Sequence, residues 1–224
     1  MPELNFQVEA VEADRHSISP LLIFKLRITN ADPEEQIQSI ALRCQLQIES
    51  TRRRYSPEEQ AHLKDLFGEP DRWNQTLRGM LWTHASAQVP PFLGSVVADL
   101  PVPCTFDFNV AATKYFHGLA DGEVPLILLF SGSVFYRDGG GELQVCQIPW
   151  DKETRHRLPV AVWQRMMDIH YPNSAWLSLR TDAYDRLCRF KVQHGIPTWE
   201  QAIERLLDAA GDELDPLAAE RAPL

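Results

Sequence analysis

Along the first half of the chain, apolar and polar residues alternate with a period of two, the mark of strands with one buried and one wet face. In "LNFQVEA", Leu4, Phe6, Val8 and Ala10 fall on one side and Asn5, Gln7 and Glu9 on the other. "LLIFKLRIT" sets Leu22, Phe24, Leu26 and Ile28 against Lys25, Arg27 and Thr29. In "IALRCQLQIE", Ile40, Leu42, Cys44, Leu46 and Ile48 oppose Arg43, Gln45, Gln47 and Glu49. "NADPEE" between the second and third runs is turn material. The pattern predicts antiparallel strands covered on one face.

A helical insertion near 56–74 interrupts them. In "SPEEQAHLKDLFGE", Ser56 is placed to cap, Pro57 to open the helix, Glu59 to complete a capping box, and Gly68 to stop it. Strands resume around "GMLWTHASAQ", "GSVVADL" and "CTFDFNV", and a short helical crossover follows. "VPLILLFSGSVFY", apolar on both faces, predicts a central strand, and "RDGGG" turns it into "ELQVCQI". From about residue 159 the period becomes helical: Trp163, Met166, Met167 and His170 share a face, and Tyr184, Leu187 and Cys188 begin another helix. Thr198 caps a last helix striped by Trp199, Ile203, Leu206, Leu207 and Ala210.

Strands followed by helices, without βαβ alternation, argue α+β. The expectation is an antiparallel β-sandwich of seven or eight strands over 1–150, with a C-terminal helical segment over 151–211 packed on it. A flexible tail is expected at 212–224.

Composition narrows the function classes. With 44% hydrophobic and 24% charged residues the chain reads as an ordinary globular protein. The apolar run Val124 to Phe130 is far shorter than the ~20 residues a membrane helix needs. "MPELNFQVEA" has neither the basic start nor the apolar core of a signal peptide, so a cytoplasmic protein is expected. The net charge is −9, and the single basic cluster, Arg52, Arg53 and Arg54, is followed at once by acidic residues. That does not make the clustered positive footprint nucleic-acid binding needs. Cys44, Cys104, Cys146 and Cys188 lie far apart with no C-x-x-C pair, which excludes a zinc ribbon, and Cys44, Cys104 and Cys188, in phase with apolar neighbours, are expected to be core thiols.

No catalytic motif stands out. Ser131 and Ser133 flank Gly132 inside a strand, whereas a nucleophile elbow sits on a strand-to-helix turn. They read as small residues where another element passes closely. Gly139, Gly140 and Gly141 lead into a strand rather than a helix, so they make a hairpin and not a phosphate cradle. Glu59 and His62 form one Glu-x-x-His with no second copy, which reads as a solvated pair on a surface helix. No cofactor and no metal site is expected. His84 and His117, with Lys114 and Asp151, are the groups from which an enzyme site could be assembled across separate elements. Amphipathic aromatics are abundant: Trp82, Tyr115, Trp150, Trp163, Trp176 and Trp199. Such rings are enriched at interfaces, and also pack in cores.

In "VPCTFDFNVAATKYFHGLADGEVPLILLFSGSVFY", "IPWDKETRHRLPVAVWQRMMD", "YPNSAWLSLRTDAYDRLCRFK" and "IPTWEQAIERLL", with "IALRCQ" and "RRRY" upstream, the chain resembles a bacterial family of unknown function. The resemblance runs from about residue 16 to 210. It implies a gene neighbourhood beside nickel–iron uptake hydrogenases and their maturation factors, hence an accessory role. It transfers no catalytic residue. The chain has neither the C-x-x-C pairs of a hydrogenase large subunit nor the cysteine density of an iron–sulfur subunit.

Two main readings follow. The first is a non-catalytic protein-binding module whose partner is a hydrogenase subunit or maturation factor, contacted through Trp82, Tyr115 and Trp150 with Arg165 as a charged neighbour. The second is a hydrolase or isomerase built on His84, Lys114, His117 and Asp151. A structural subunit or homo-oligomer is the third.

Overall fold

The computed structural model describes residues 2–105, 110–174, 177 and 179–210. The chain divides into two units after Ser174. In the first unit the predicted alternation becomes two antiparallel sheets. One is three-stranded, β1 (Leu4–Ala13), β2 (Leu21–Asn30) and β5 (Ser95–Pro103), in the order β1-β2-β5. The other is five-stranded. Its path is β4 (Met80–Val89), β3 (Ile37–Ile48), β6 (Glu123–Arg137) and β7 (Leu143–Gln147), and β8 (Glu153–Pro159) also pairs with β6. The fold is α+β, an eight-stranded β-sandwich with inserted and C-terminal helices.

The inward faces supply the core. Leu22, Phe24, Leu26 and Ile28 of β2 and Ile40, Leu42, Cys44, Leu46 and Ile48 of β3 are all buried, as their phase requires. In β1 a register shift between Val8 and Ala10 resets the alternation. Ala10, predicted to point inward, is therefore exposed, and Val11 and Ala13 pack on the core instead.

β6 is central, with β3 on one side and β7 and β8 end to end on the other. Gly132 lies within it at φ 137°, and a Cβ there would stand 2.1 Å from the Ala41 carbonyl oxygen of β3. The Ser-Gly-Ser run is thus a place of close backbone approach. The start of the 151–211 segment, expected to be helical, instead forms β8 at Glu153–Pro159. Its inward set is only Thr154, His156 and Leu158, set against Glu153, Arg155 and Arg157, so the alternation carries little apolar contrast.

The insertion folds as α1 (Pro57–His62), α2 (Lys64–Phe67), a 3₁₀ turn at Pro70–Arg72 and α3 (Trp73–Thr76). The Ser56–Glu59 capping box forms in both directions, and Gly68 ends α2 at φ 77°. α4 (Val110–His117) is the crossover before β6, and α5 (Val160–His170) packs on β1, β2 and β8. The centre of the "CTFDFNV" strand, 106–109, lies outside the described residues, and Val110 already belongs to α4.

The second unit's described elements are α6 (Thr181–Gln193) and α7 (Trp199–Ala210). Thr198 caps α7 through its hydroxyl, which accepts from the Gln201 amide at 3.2 Å. The rings of Tyr184 and Trp199 meet at 5.6 Å. Trp176 and the segment 212–224 lie outside the described residues.

Candidate functional site

The aromatics proposed as interface residues separate into two groups. Trp82 is 4% exposed and Tyr115 fully buried. Tyr115 contacts Phe116, which stacks on Trp163 at 5.1 Å and 10° and meets Trp82 at 5.1 Å; Trp82 in turn stands edge-on to Phe24. On the other side Tyr115 reaches Tyr55 and Phe67, both in contact with Trp73. These rings form a continuous spine from the insertion to α5. As placed, Trp82 and Tyr115 have no free face for a partner, because their apolar area is spent inside the sandwich.

Trp150 is the opposite case, 93% exposed. It lies in the turn that joins β7 to β8 along one side of β6. The turn is held at both ends: the Ile148 amide donates to the Gly132 carbonyl at 2.9 Å, and the Phe130 amide donates to the Lys152 carbonyl at 2.9 Å. A rigid frame thus carries an indole into solvent. Further along the same edge, Leu143 and Val145 of β7 are also exposed. Arg165 is exposed on α5, where it shares a cavity of about 230 Å³ with Glu12 and Arg15. No hydrogen bond or ion pair joins it to Trp150 among the described residues.

His84, Lys114, His117 and Asp151 are spread over β4, α4 and the β7–β8 turn, and all four are exposed. Lys114 is paired with Asp65 of α2. His117 stands edge-on to the Trp163 ring at 5.1 Å, and partial desolvation of its imidazole lowers its pKa from 6.5 although the residue is exposed. No hydrogen bond or ion pair joins any two of the four among the described residues. No group of three or more His, Cys, Asp or Glu could hold a metal ion among the described residues.

A polar cluster that sequence reasoning missed lies under the insertion. The three consecutive arginines part ways. Arg52 pairs with Glu49 at 3.2 Å, Arg53 turns inward, and Arg54 stays exposed. The Arg53 side chain is 7% exposed and that of Glu59 4%. Arg53 Nη2 donates to Glu59 Oε1 at 2.5 Å and to the Asp121 carbonyl at 2.7 Å. Glu59 also accepts from the amides of Ser56 and Ala120. The solvated reading of Glu59 is therefore corrected: one carboxylate closes the capping box, neutralises a buried arginine and ties the insertion to the loop before β6.

Tyr55 covers this pair, its ring 5.4 Å from the Arg53 guanidinium carbon. The Tyr55 and Tyr115 hydroxyls are 2.8 Å apart, and Tyr55 donates to the Ser50 carbonyl at 2.8 Å. Burial raises the pKa of both phenols, so they act as neutral hydrogen-bonding groups. Beside them opens a cleft of about 590 Å³, lined by Arg53, Arg54, Tyr55, Gln60, Trp73 and Asn74. The signal in the sequence was the "RRRY" run beside a capping-box glutamate, but alternation alone does not say which arginine turns inward.

A family model described as a family of unknown function, DUF6084, matches residues 1–215. The chain belongs to DUF6084. No curated protein matches it. Among solved structures it is similar to a late embryogenesis abundant (LEA) protein in solution, at 12% identity and a TM-score of 0.31, with 71% of each chain covered. It is also similar to the ApaA protein of Bordetella pertussis, at 11% identity and a TM-score of 0.24, covering 70% of this chain and 95% of that one. Likenesses of that degree carry no functional argument for this DUF6084 member.

Proposed function

We propose that this DUF6084 protein is a non-catalytic binding module that engages a partner protein through the β7–β8 edge, with Trp150 as its anchor. The observation that carries the reading is the 93% exposure of an indole held on a hydrogen-bonded turn. Exposed aromatics on rigid supports are the kind of residue in which binding energy concentrates. Leu143 and Val145 extend the apolar surface along the same edge. That no hydrogen bond or ion pair joins the candidate enzyme groups, and that no metal-binding cluster occurs, among the described residues favours binding over catalysis.

The partner class we name first is a hydrogenase subunit or maturation factor, on the resemblance noted in the sequence, with the cytoplasm as the site of action. Among the described residues no helix is long and apolar enough to cross a membrane. The test compares wild type with Trp150→Ala in tagged recovery from native cells at natural expression. Wild type should retain one protein in stoichiometric amount, and the variant should lose it, since a hot-spot ring contributes ~2 kcal/mol or more. Retention within about threefold would remove Trp150 from the interface.

A further inference from the structure

We infer that the cleft under the insertion binds a small molecule bearing an oxyanion, carboxylate or phosphate, beside a flat apolar body. Four observations converge. The cleft, at about 590 Å³, falls in the ~300–1,000 Å³ range of small-molecule sites. Its charged lining is Arg53 and Arg54, with no carboxylate, on a chain whose net charge is −9. Arg53 Nε and Nη1 are buried without a hydrogen-bond partner, although the side chain is 7% exposed and paired through Nη2. Half-buried Tyr55 gives the cleft an aromatic wall backed by the buried Trp73, and Gln60 and Asn74 supply neutral hydrogen-bonding groups.

The charge count sets the sign of the ligand. Glu59 neutralises one arginine, and Arg54 makes no hydrogen bond or ion pair among the described residues, so the cleft keeps one uncompensated positive charge. A cation would be disfavoured, and an anion gains over a neutral ligand by replacing water at the exposed Arg54 guanidinium. An oxyanion engages Arg54 at the mouth, and guanidinium suits carboxylate and phosphate alike. Arg53, paired with Glu59, lines the cleft beside Arg54 and keeps Nε and Nη1 without a partner. The Tyr55 ring favours an anion with a flat apolar body over a bare inorganic ion.

This inference does not depend on the Trp150 reading, because the cleft residues belong to the insertion and to the segment before it. The experiment is calorimetric titration of the full chain with phenyl phosphate and with phenylacetate, using benzyl alcohol as the uncharged analogue. At least one anion should bind with a Kd near or below about 1 mM, and benzyl alcohol at least about tenfold more weakly. The stronger of the two anions identifies phosphate or carboxylate as the preferred group. Arg54→Gln, at an exposed position, should keep the melting temperature and weaken the anion by about tenfold or more. Trp150→Ala should leave the titration unchanged. Equal binding of benzyl alcohol, an Arg54→Gln affinity within about twofold of wild type, or no heat from either anion at about 5 mM would overturn the proposal.

Discussion

Two positions concentrate the physics of this fold in single residues. At Gly132 a Cβ would stand 2.1 Å from the Ala41 carbonyl oxygen, and the backbone is held at φ 137°. Gly132→Ala should therefore cost about 3 kcal/mol or more, read as a lowered urea midpoint. Gly139 in the β6–β7 turn meets nothing within 4 Å, and Gly139→Ala should shift the midpoint by less than about 0.5 kcal/mol. Equal effects would contradict the close-approach account. Glu59 is the second position. Its replacement by Gln leaves the Arg53 guanidinium buried without its counter-charge, which should cost about 3 kcal/mol in the same assay. The sequence made Gly132 legible as a close contact, because a small residue inside an apolar strand has few other uses. It did not make Glu59 legible, since a capping box reads the same whether its carboxylate faces water or a buried arginine.

Strands and helices were recoverable to the extent that burial was one-sided. β2 alternates throughout and β3 from Ile40 to Ile48, and both were evident from period alone. β1 carries a bulge that period counting runs through, and β8 turns a half-buried Thr154 and His156 inward where a reader looks for aliphatics. His156 has a consequence for pH. Burial lowers its pKa, as it does that of His117 on α4, so the folded protein holds fewer protons on these rings than the unfolded chain below pH 6.5. Their contribution is intact above that value and is lost as the pH falls from 6.5 toward the folded pKa values. Melting temperature should drop between about pH 7 and pH 5, and the His117→Gln/His156→Gln double variant should flatten that slope. An unchanged slope would show that other groups carry the dependence. The cysteines give a parallel check. Burial pushes the Cys44 and Cys104 thiols up to about 12, while Cys146 and Cys188 are only half-buried. Native alkylation near neutral pH should reach no more than those last two, and denaturation should release all four.

Across the whole molecule, Trp82, Tyr115 and Trp163 serve architecture among the described residues. The spine from Trp73 through Tyr115 and Phe116 to Trp163 links insertion, crossover helix and α5, and it absorbs two of the three aromatics whose composition suggested an interface. Ring count could not separate these roles, because an indole in the core and an indole on an edge turn are the same residue in sequence. Burial separates them, and it leaves Trp150 as the partner-facing candidate of the three. On the proposed reading, the β7–β8 edge is the recognition surface, separate from the arginine-lined cleft under the insertion. The most direct measurement is partner recovery by wild type against Trp150→Ala from native cells. One stoichiometric protein held by wild type and lost from a variant of unchanged melting temperature is the predicted result. Equal recovery by both, or none by wild type, would contradict the binding-module account.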